Sequence, residues 1–288
     1  MTGIERVGVV GCGLMGAGIA EVCARAGLPV TVVERDAQAV RSGRLRITRS
    51  LDRAAAHGRI GADRREAAAA LITVTDQIEA LDDRDLVVEA VAEDERLKLD
   101  VFTRLDSVVG GDDTVLATNT SSIPVIRLAA ATARPERVVG VHFFNPVPVL
   151  RLVELVPSLL TSPATAARAE AFVTGALGKE VVRTRDKAGF VVNALLVPYL
   201  LAAVRMVESG SASVEDIDRG MVLGCAHPLG PLALTDLIGL DTTRAIAESL
   251  YAEFREPQYA PPPLLSRMVE AGLLGRKSGR GFHAYDEQ

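Results

Sequence analysis

Two side chains that could carry acid and base chemistry, His142 and Glu154, lie in neighbouring apolar runs of the sequence. His142 closes the run 138–142, and Glu154 lies inside the run 152–156. A histidine is suited to take a proton from an alcohol near neutral pH, and a carboxylate on its other ring nitrogen would fix the tautomer and support the imidazolium. We therefore expect a general acid/base pair, with two unrelated structural residues as the alternative.

A glycine motif near the N-terminus has the spacing G-x-G-x-x-G, with Gly11, Gly13 and Gly16 as its glycines and Leu14 and Met15 before the last. It follows an apolar strand pattern and precedes a helix pattern. In that context the glycines permit a tight turn, close approach of the backbone to a pyrophosphate, and close helix packing. The motif predicts a dinucleotide-binding turn.

An acidic residue, Glu34, ends the second strand pattern and completes a strand-turn-helix-strand unit. A carboxylate at this position accepts hydrogen bonds from both ribose hydroxyls and repels a 2′-phosphate, which favours NAD as the cofactor. Because Arg35 is adjacent to Glu34, NADP remains an alternative cofactor. A purely structural glycine turn and the nucleotide site of a methyltransferase are the alternatives.

The composition argues against several classes of protein. The 288 residues carry a formal net charge of -5 and no lysine-rich or arginine-rich run, so no nucleic-acid surface is expected. No apolar run approaches the roughly 20 uncharged residues of a membrane helix. We expect a cytoplasmic protein without a signal peptide or membrane contact. The cysteines Cys12, Cys23 and Cys225 match neither a disulfide framework nor a zinc site, and no metal site is predicted.

Strand and helix patterns alternate along the first part of the chain. Apolar strand patterns occupy 6–11, 28–33, 86–91, 115–118 and 138–142, with helical patterns at 17–26, 36–70 (a hairpin) and 93–105. This alternation predicts an α/β fold with a parallel, doubly wound sheet of Rossmann type.

From Phe190 onward the patterns are helical, with no further strand signal. Helices are predicted over 190–208, from Ser213 onward and over 264–271. We therefore predict two domains, an α/β domain over 1–185 and an all-helical domain over 186–288.

Five motifs, in order along nearly the whole chain, resemble those of the 3-hydroxyacyl-CoA dehydrogenase family. They lie at 11–20, 117–122, 142–148, 189–193 and 275–282. Within the family the chain is most similar to the bacterial 3-hydroxybutyryl-CoA dehydrogenases. The resemblance implies NAD(P)-dependent oxidation or reduction at the 3-position of a short-chain (S)-3-hydroxyacyl-CoA. It also implies a homodimer, for which the apolar stretch 194–204 could supply the face, and a helical domain that contributes to substrate binding.

The resemblance assigns roles to individual residues. It makes His142 the catalytic base and Glu154 its partner, and it places Ser121 and Asn193 against the substrate. The remaining matches are Glu93, Lys98, Asn145 and Lys277 near the nicotinamide half of the cofactor, and Ser50 near coenzyme A. By residue type alone, Ser121 could equally be a helix N-cap, and Glu93 and Lys98 could form a solvated helix face.

One position departs from the family pattern. His57 stands where relatives can carry a lysine near the coenzyme A phosphates, although Arg46, Arg49 and Arg53 lie on nearby turns. Either the basic function is redistributed, or the acyl group is carried on the phosphopantetheine arm of a protein, which lacks the adenosine phosphates. A sugar-acid dehydrogenase and a catalytically silent NAD-binding structural protein are further alternatives. The presence of both His142 and Glu154 argues against the silent protein.

Overall fold

The computed structural model of the chain describes residues 3–111 and 113–285. The chain divides into two compact units, Met1–Asp186 and Lys187–Gln288, and each has its own hydrophobic core. None of the helices within the described ranges combines the length and the apolar character that a membrane span requires.

The first unit contains one eight-stranded sheet with the order β3-β2-β1-β4-β5-β6-β7-β8. The strands are β1 (Val7–Val10), β2 (Val30–Val33), β3 (Ile72–Thr75), β4 (Leu86–Glu89), β5 (Val115–Thr118), β6 (Val138–Phe143), β7 (Leu152–Pro157) and β8 (Glu180–Arg183). All neighbours from β3 to β6 pair in parallel, whereas β7 runs antiparallel to β6 and parallel to β8. The strands β1, β2, β4, β5 and β6 are buried along their whole length, which explains their continuous apolar sequences.

Helices connect these strands. They are α1 (Leu14–Arg25), α2 (Ala37–Ala56), α3 (Ala62–Ala70), α4 (Glu95–Val108), α5 (Val125–Ala129) and α6 (Pro163–Ala171). Side chains cap three of these helices at their N-termini. Asp36 accepts a hydrogen bond from Ala39 N and Asp94 accepts one from Leu97 N, each at 2.8 Å, and Ser162 accepts one from Thr165 N at 3.0 Å.

The predicted doubly wound sheet is confirmed, with corrections at particular elements. The reversal of direction at β7 was not predicted, and neither β3 nor β8 was recognised as a strand. Helix α1 begins at Leu14, three residues earlier than predicted, because it starts directly on the glycine motif. Helix α4 begins at Glu95 rather than Glu93, because Asp94 is its N-cap.

The second unit is helical, as predicted. Its helices are α7 (Val192–Glu208), α8 (Val214–Cys225), α9 (Pro231–Ile238), α10 (Leu240–Phe254) and α11 (Pro263–Glu270). Helix α7 begins two residues later than predicted, because Phe190 adopts a left-handed conformation with φ 49°. The predicted cap at Ser213 is present, since its hydroxyl accepts a hydrogen bond from Asp216 N at 3.1 Å.

The apolar stretch 194–204 was predicted to supply a dimer face, but five of its eleven residues are buried inside the second unit. Val197, Leu201 and Val204 belong to the core of that unit and are at most 2% exposed. Leu195, by contrast, is 73% exposed. The buried half of this stretch is therefore unavailable to a partner, whereas the face that carries Leu195 is accessible.

Candidate active site

The pairing of β6 with β7 brings His142 and Glu154 together. The two residues are direct partners in the antiparallel register, so their side chains emerge on the same face of the sheet. His142 Nδ1 lies 2.8 Å from Glu154 Oε2, and the ring of Phe144 packs against the imidazole with centroids 4.6 Å apart. Glu154 is fully buried and His142 is 6% exposed. An ionised carboxylate only accepts hydrogen bonds, so it holds Nδ1 as the donor and makes Nε2 the nitrogen that can exchange a proton.

The glycine motif forms the turn between β1 and α1. Gly11 has a φ of +90°, and a Cβ at this position would lie 2.8 Å from the carbonyl oxygen of Ala90. A Cβ on Gly16 would lie 1.9 Å from the carbonyl oxygen of Gly11. Both positions therefore require glycine. A Cβ on Gly13, in contrast, would meet nothing within 4 Å, so the backbone there faces open space that a ligand can approach.

Helix α1 presents its N-terminus at this turn. No side chain caps it and its first turn contains no acidic residue. Leu14, its first residue, is 63% exposed, and Met15 is half-buried. The backbone N–H groups and the helix dipole can therefore act on an anion such as a pyrophosphate.

Glu34 and Arg46 hold the backbone N–H and the backbone carbonyl of one residue in the glycine turn, Cys12. Glu34 Oε1 accepts a hydrogen bond from Cys12 N at 2.6 Å, and Arg46 Nη1 donates one to Cys12 O at 2.5 Å. Burial and the charge of Glu34 outweigh the opposing effect of Arg46 and raise the pKa of the Cys12 thiol to about 12, so it is protonated at neutral pH.

Glu34 and Arg46 also line a cavity of about 590 Å³, together with Gly11, Gly13 and Arg35. It therefore combines an open glycine backbone with a carboxylate at the end of β2, where a dinucleotide places its ribose. The residues that are present fit an NAD molecule. The side chain of Arg35 is 86% exposed and pairs with Asp36, so its guanidinium group lies in solvent at the rim of the cavity and not inside it.

Glu93 accepts several hydrogen bonds from the loop that follows β5. Its Oε1 accepts hydrogen bonds from Thr120 Oγ1 at 2.5 Å, from Ser121 N at 2.9 Å and from Ser122 Oγ at 3.0 Å. Burial opposes the ionisation of Glu93, but the charge of Lys98 and these hydrogen bonds hold its pKa below the ordinary value of 4.5. The carboxylate therefore orders the loop that carries Ser121.

Ser121 is not a helix N-cap, which the sequence had left open. Helix α5 begins at Val125, and its N-cap is Pro124. The Ser121 hydroxyl instead lies 3.4 Å from Glu93 Oε1, so the structure brings together two of the predicted site residues.

Lys98 is buried rather than part of a solvated helix face. It is 1% exposed, and its Nζ lies 2.6 Å from Glu89 Oε1 and 3.2 Å from Glu93 Oε2. The solvated-face alternative is therefore wrong for Lys98. A charge in this environment requires a partner, and the fully buried Glu89 supplies it.

Two residues that position this site were missed in the sequence. Glu89 closes β4, and its second oxygen accepts a hydrogen bond from Thr118 Oγ1 at 2.7 Å. Asn119 follows β5, and its Oδ1 accepts one from Phe143 N, next to His142, at 2.9 Å. The available signal was a polar residue at the carboxyl end of a buried parallel strand, where ligands of such sheets bind.

Family models decide the identity of the fold. The model for the NAD binding domain of 3-hydroxyacyl-CoA dehydrogenase matches residues 6–187, and the model for the C-terminal domain matches residues 189–285. The chain belongs to the 3-hydroxyacyl-CoA dehydrogenase family. It is thus an NAD-dependent oxidoreductase, as the glycine motif and Glu34 predicted.

Individual members of the family are similar over almost their whole length. A 3-hydroxybutyryl-CoA dehydrogenase of Mycobacterium tuberculosis is 59% identical, over 98% of this chain and 99% of that protein. The crystal structure of M. tuberculosis FadB2 gives a TM-score of 0.97 at 59% identity, over 98% of this chain and 99% of that one. The structure of (S)-3-hydroxybutyryl-CoA dehydrogenase PaaH1 from Ralstonia eutropha gives 0.92 at 45% identity, over 99% and 100%.

The other family positions of the first unit have local partners or are exposed. Asn145 is exposed in the connection between β6 and β7 and precedes a cis peptide bond. Ser50 lies on α2, and its hydroxyl donates to Glu21 Oε2 at 2.5 Å. His57 is the C-cap of α2, with Nδ1 2.7 Å from Arg53 O. The hydrogen bonds of Ser50 and His57 are therefore to residues of α1 and α2 and not to His142 or Glu154.

Two dehydrogenase family positions lie in the second unit. Asn193 is the second residue of α7 and is half-buried. Lys277 Nζ lies 2.6 Å from both carboxylate oxygens of Asp241, near the start of α10. Burial opposes the ionisation of Asp241, but the hydrogen bond and charge of Lys277 together with backbone hydrogen bonds outweigh this effect and lower its pKa. The roles of Asn193 and Lys277 toward substrate and cofactor stay predictions.

Proposed function

We propose that this chain interconverts short-chain (S)-3-hydroxyacyl-CoA and 3-oxoacyl-CoA esters, with 3-hydroxybutyryl-CoA and acetoacetyl-CoA as the preferred pair. The observation that carries the proposal is the buried contact between His142 and Glu154, in the unit that also holds the glycine turn and Glu34. The name of the 59% identical relative supports the choice of substrate.

His142 is the general acid/base in this proposal. Its Nε2 accepts the proton of the 3-hydroxyl group during oxidation and returns it during reduction. Glu154 keeps Nδ1 protonated and stabilises the imidazolium that forms. Ser121 and Asn193 are proposed to donate hydrogen bonds to oxygen atoms of the substrate, which orients its 3-position toward His142.

The cofactor is proposed to bind along the carboxyl ends of the parallel strands, and when bound it exchanges a hydride with the 3-carbon of the substrate. The segment 11–16, including Leu14 and Met15, would hold the pyrophosphate, and Glu34 the adenosine ribose. The residues proposed for the nicotinamide half are Glu93, Lys98, Asn145 and Lys277. Glu34 favours NAD over NADP, because it would repel a 2′-phosphate.

The proposal is tested by the loss of NADH absorbance when the protein meets acetoacetyl-CoA. We expect rapid oxidation of NADH and slower oxidation of NADPH. His142→Gln should lower kcat by roughly a hundredfold or more, with the Kd for NADH nearly unchanged. Arg41→Gln, which changes an exposed residue of α2 outside the pair and outside the cofactor cavity, is the control. An unchanged kcat in His142→Gln would remove this residue from the mechanism.

We also propose that the residues 1–185 form the cofactor domain and that the residues 186–288 form a domain for substrate binding and for association into a homodimer. The exposed apolar side chains of the second unit support the association. Leu195 on α7 and Leu223 on α8 are 73% and 72% exposed. Two leucines with such high exposed fractions, one on each of two helices, form the kind of apolar surface that a second copy can cover.

A further inference from the structure

The connection between β6 and β7, residues 144–151, joins His142 to Glu154. His142 lies near the end of β6, and Glu154 lies near the start of β7. The connection also carries Phe144, whose ring packs against the imidazole, and Asn145, which is proposed for the nicotinamide half of the cofactor. The path of this segment therefore determines where two side chains of the candidate site lie.

A tight turn forms the middle of this connection. The N–H groups of Val149 and Leu150 both donate to Pro146 O, at 2.9 and 3.0 Å. Pro146 directly follows Asn145 in the chain, so the start of the turn and the predicted cofactor residue are adjacent. A group that fixes the turn therefore also fixes the backbone on one side of Asn145.

Lys179 donates two hydrogen bonds to this turn. Its Nζ lies 2.7 Å from Val147 O and 2.6 Å from Leu150 O, and the residue is only 8% exposed. Lys179 immediately precedes β8, which pairs with β7, so the ammonium group holds the turn from a neighbouring strand of the sheet. Hydrogen bonds from a charged donor are stronger than those between neutral groups. The turn is thus fastened to the sheet at two carbonyl groups.

The burial of Lys179 is costly, and the turn compensates for it. Burial and the nearby charge of Arg25 lower the pKa of Lys179. The carboxylate next to it in the chain, Glu180, pairs with Arg151 at the surface instead, at 2.7 Å. A methionine could fill this place without burying an ammonium group, but it would leave the carbonyl groups of the turn without their donor. The place of the lysine is therefore explained by what it holds.

Helix α1 packs closely against the same turn. A Cβ on Gly18 would lie 2.8 Å from Val147 Cβ and 3.5 Å from Pro148 Cδ. Val147 is 1% exposed and belongs to the core of the first unit. The turn accordingly has an apolar contact with the helix that begins on the glycine motif and a polar contact with Lys179. Together these contacts leave little freedom to the segment that follows Asn145.

We infer that Lys179 is a positioning residue for the nicotinamide end of the cofactor and that it acts through the turn that follows Asn145. The inference rests on the proposed function, which places Asn145 against the nicotinamide half. Lys179 Nζ donates to Leu150 O, and Leu150 N donates to Pro146 O, so two hydrogen bonds link the ammonium group to the residue after Asn145. Lys179 touches neither the substrate nor the cofactor in this arrangement.

The test compares the binding of NADH with that of ADP, which lacks the nicotinamide and its ribose. Lys179→Met keeps a long side chain but removes the donor. In calorimetric titrations its Kd for NADH should rise about tenfold, as expected for one lost hydrogen bond, while its Kd for ADP should stay within about twofold of the wild-type value. General destabilisation would weaken both ligands alike, so a selective loss distinguishes positioning from a merely structural role.

Arg151→Met is the matched control. Arg151 is a long cationic side chain on the same connection, but it is 74% exposed and pairs with Glu180 at the surface. Exposed ion pairs of this kind contribute little to stability. Both Kd values of this variant should therefore equal those of the wild type.

Gly18→Ala keeps the test decisive if Lys179→Met does not fold. The added Cβ must displace Val147 and so perturbs the same turn from α1, without a change at Lys179. The Kd for NADH should again rise more than the Kd for ADP. Equal changes for the two ligands would contradict the role of the turn.

Asn145→Ala separates this inference from the proposed function. If Asn145→Ala raises the Kd for NADH and a folded Lys179→Met does not, the inference is overturned. It is also overturned if Lys179→Met loses affinity for NADH and ADP to the same extent. If Asn145→Ala leaves the Kd for NADH unchanged, the cofactor role proposed for Asn145 fails, whereas a selective loss in Lys179→Met still supports its action on the nicotinamide end.

Discussion

A neutral imidazole has one ring nitrogen that donates a hydrogen bond and one that accepts. At His142 the contact with Glu154 assigns these roles, because the carboxylate can accept only from a protonated Nδ1. Nε2 is then the acceptor, which is the form that takes a proton from an alcohol. Since Glu154 is fully buried, water screens its charge weakly, and the carboxylate can stabilise an imidazolium more strongly than an exposed one would.

Replacing Glu154 by glutamine tests this division of roles. The variant Glu154→Gln keeps the size of the side chain but removes the negative charge and can present an N–H group to Nδ1, which favours the wrong tautomer. We expect kcat to fall roughly a hundredfold or more. The KM for NADH should change little, because Glu154 does not line the cofactor cavity. A stopped assay of acetoacetyl-CoA reduction gives both constants, and a kcat within twofold of the wild type would contradict the assignment.

At the scale of single elements, strand ends determine where the chemistry is placed. β4 ends at Glu89, β5 is followed by Asn119, and β6 carries His142 near its end. Because these strands are parallel neighbours, their carboxyl ends meet at one edge of the sheet. Strand β7 then returns in the opposite direction and places Glu154 opposite His142.

The buried ion pair between Lys98 and Glu89 should matter strongly for stability. In Lys98→Met the carboxylate of Glu89 stays buried without its cation, which costs about 3–5 kcal/mol in the free energy of unfolding. Urea unfolding followed by far-ultraviolet circular dichroism measures this change. The double variant Glu89→Gln/Lys98→Met should recover part of the loss, because residue 89 then carries no buried charge. A single variant as stable as the wild type would contradict a structural role for the pair.

Glu93 predicts a stability that depends on pH. Its folded pKa lies below the ordinary value of 4.5, so its ionised form stabilises the fold fully above that pH, and this stabilisation is lost as the pH falls through the folded pKa. Unfolding free energies of the wild type and Glu93→Gln should therefore converge when the pH is lowered from about 5 to about 3. Urea titrations at several pH values test this. A difference that stays constant over the interval would show that the charge of Glu93 is not responsible.

The sequence could predict the elements whose signals are local. The glycine turn has a fixed spacing, and β5 is a continuous apolar run between polar residues, which the structure reproduces at 115–118. The reversal of β7 could not be predicted in this way, since strand direction depends on pairing and not on composition. β3 and β8 are four-residue strands with half-exposed positions and carry too little periodicity to be recognised.

The candidate site was predictable as a set of residue types but not as a network. His142 and Glu154 could be selected by their chemistry, while their contact depends on the register of two strands. Lys98 resembles any surface lysine of an amphipathic helix, and only the position of Glu89 below it explains its burial. Glu89 was overlooked because an acid at the end of an apolar run has no local pattern that marks it as a partner.

At the scale of the whole molecule, the two units divide the apolar residues differently. The first unit buries its apolar side chains around one sheet, and the residue with the highest exposure among its large apolar ones is Leu159, at 95%. The second unit has a helical core but leaves Leu195, Leu223 and Leu237 more than half exposed. The first unit also exposes Leu14, by 63%, so what distinguishes the second unit is that its exposed leucines lie on three helices, α7, α8 and α9.

The contact between Tyr199 and His227 connects the helix that carries Leu195 with the segment that follows the helix of Leu223. Tyr199 lies one turn after Leu195 on α7, and its hydroxyl is 3.2 Å from His227 Nδ1, shortly after the end of α8 that carries Leu223. In a twofold-symmetric dimer each such leucine occurs at the interface once in each copy. Burying one such side chain contributes about 1.5–3 kcal/mol. Covering this surface with a second copy would therefore be favourable.

Leu195→Lys/Leu223→Lys should consequently shift the protein from dimer to monomer. Light scattering after size exclusion should give twice the chain mass of 30.5 kDa for the wild type and the single chain mass for the variant at micromolar concentration. Leu159→Lys, at a leucine of the first unit that is more exposed still, is the control and should remain a dimer. A monomeric wild type would remove the homodimer altogether, whereas a variant that stays dimeric would move the interface away from these helices.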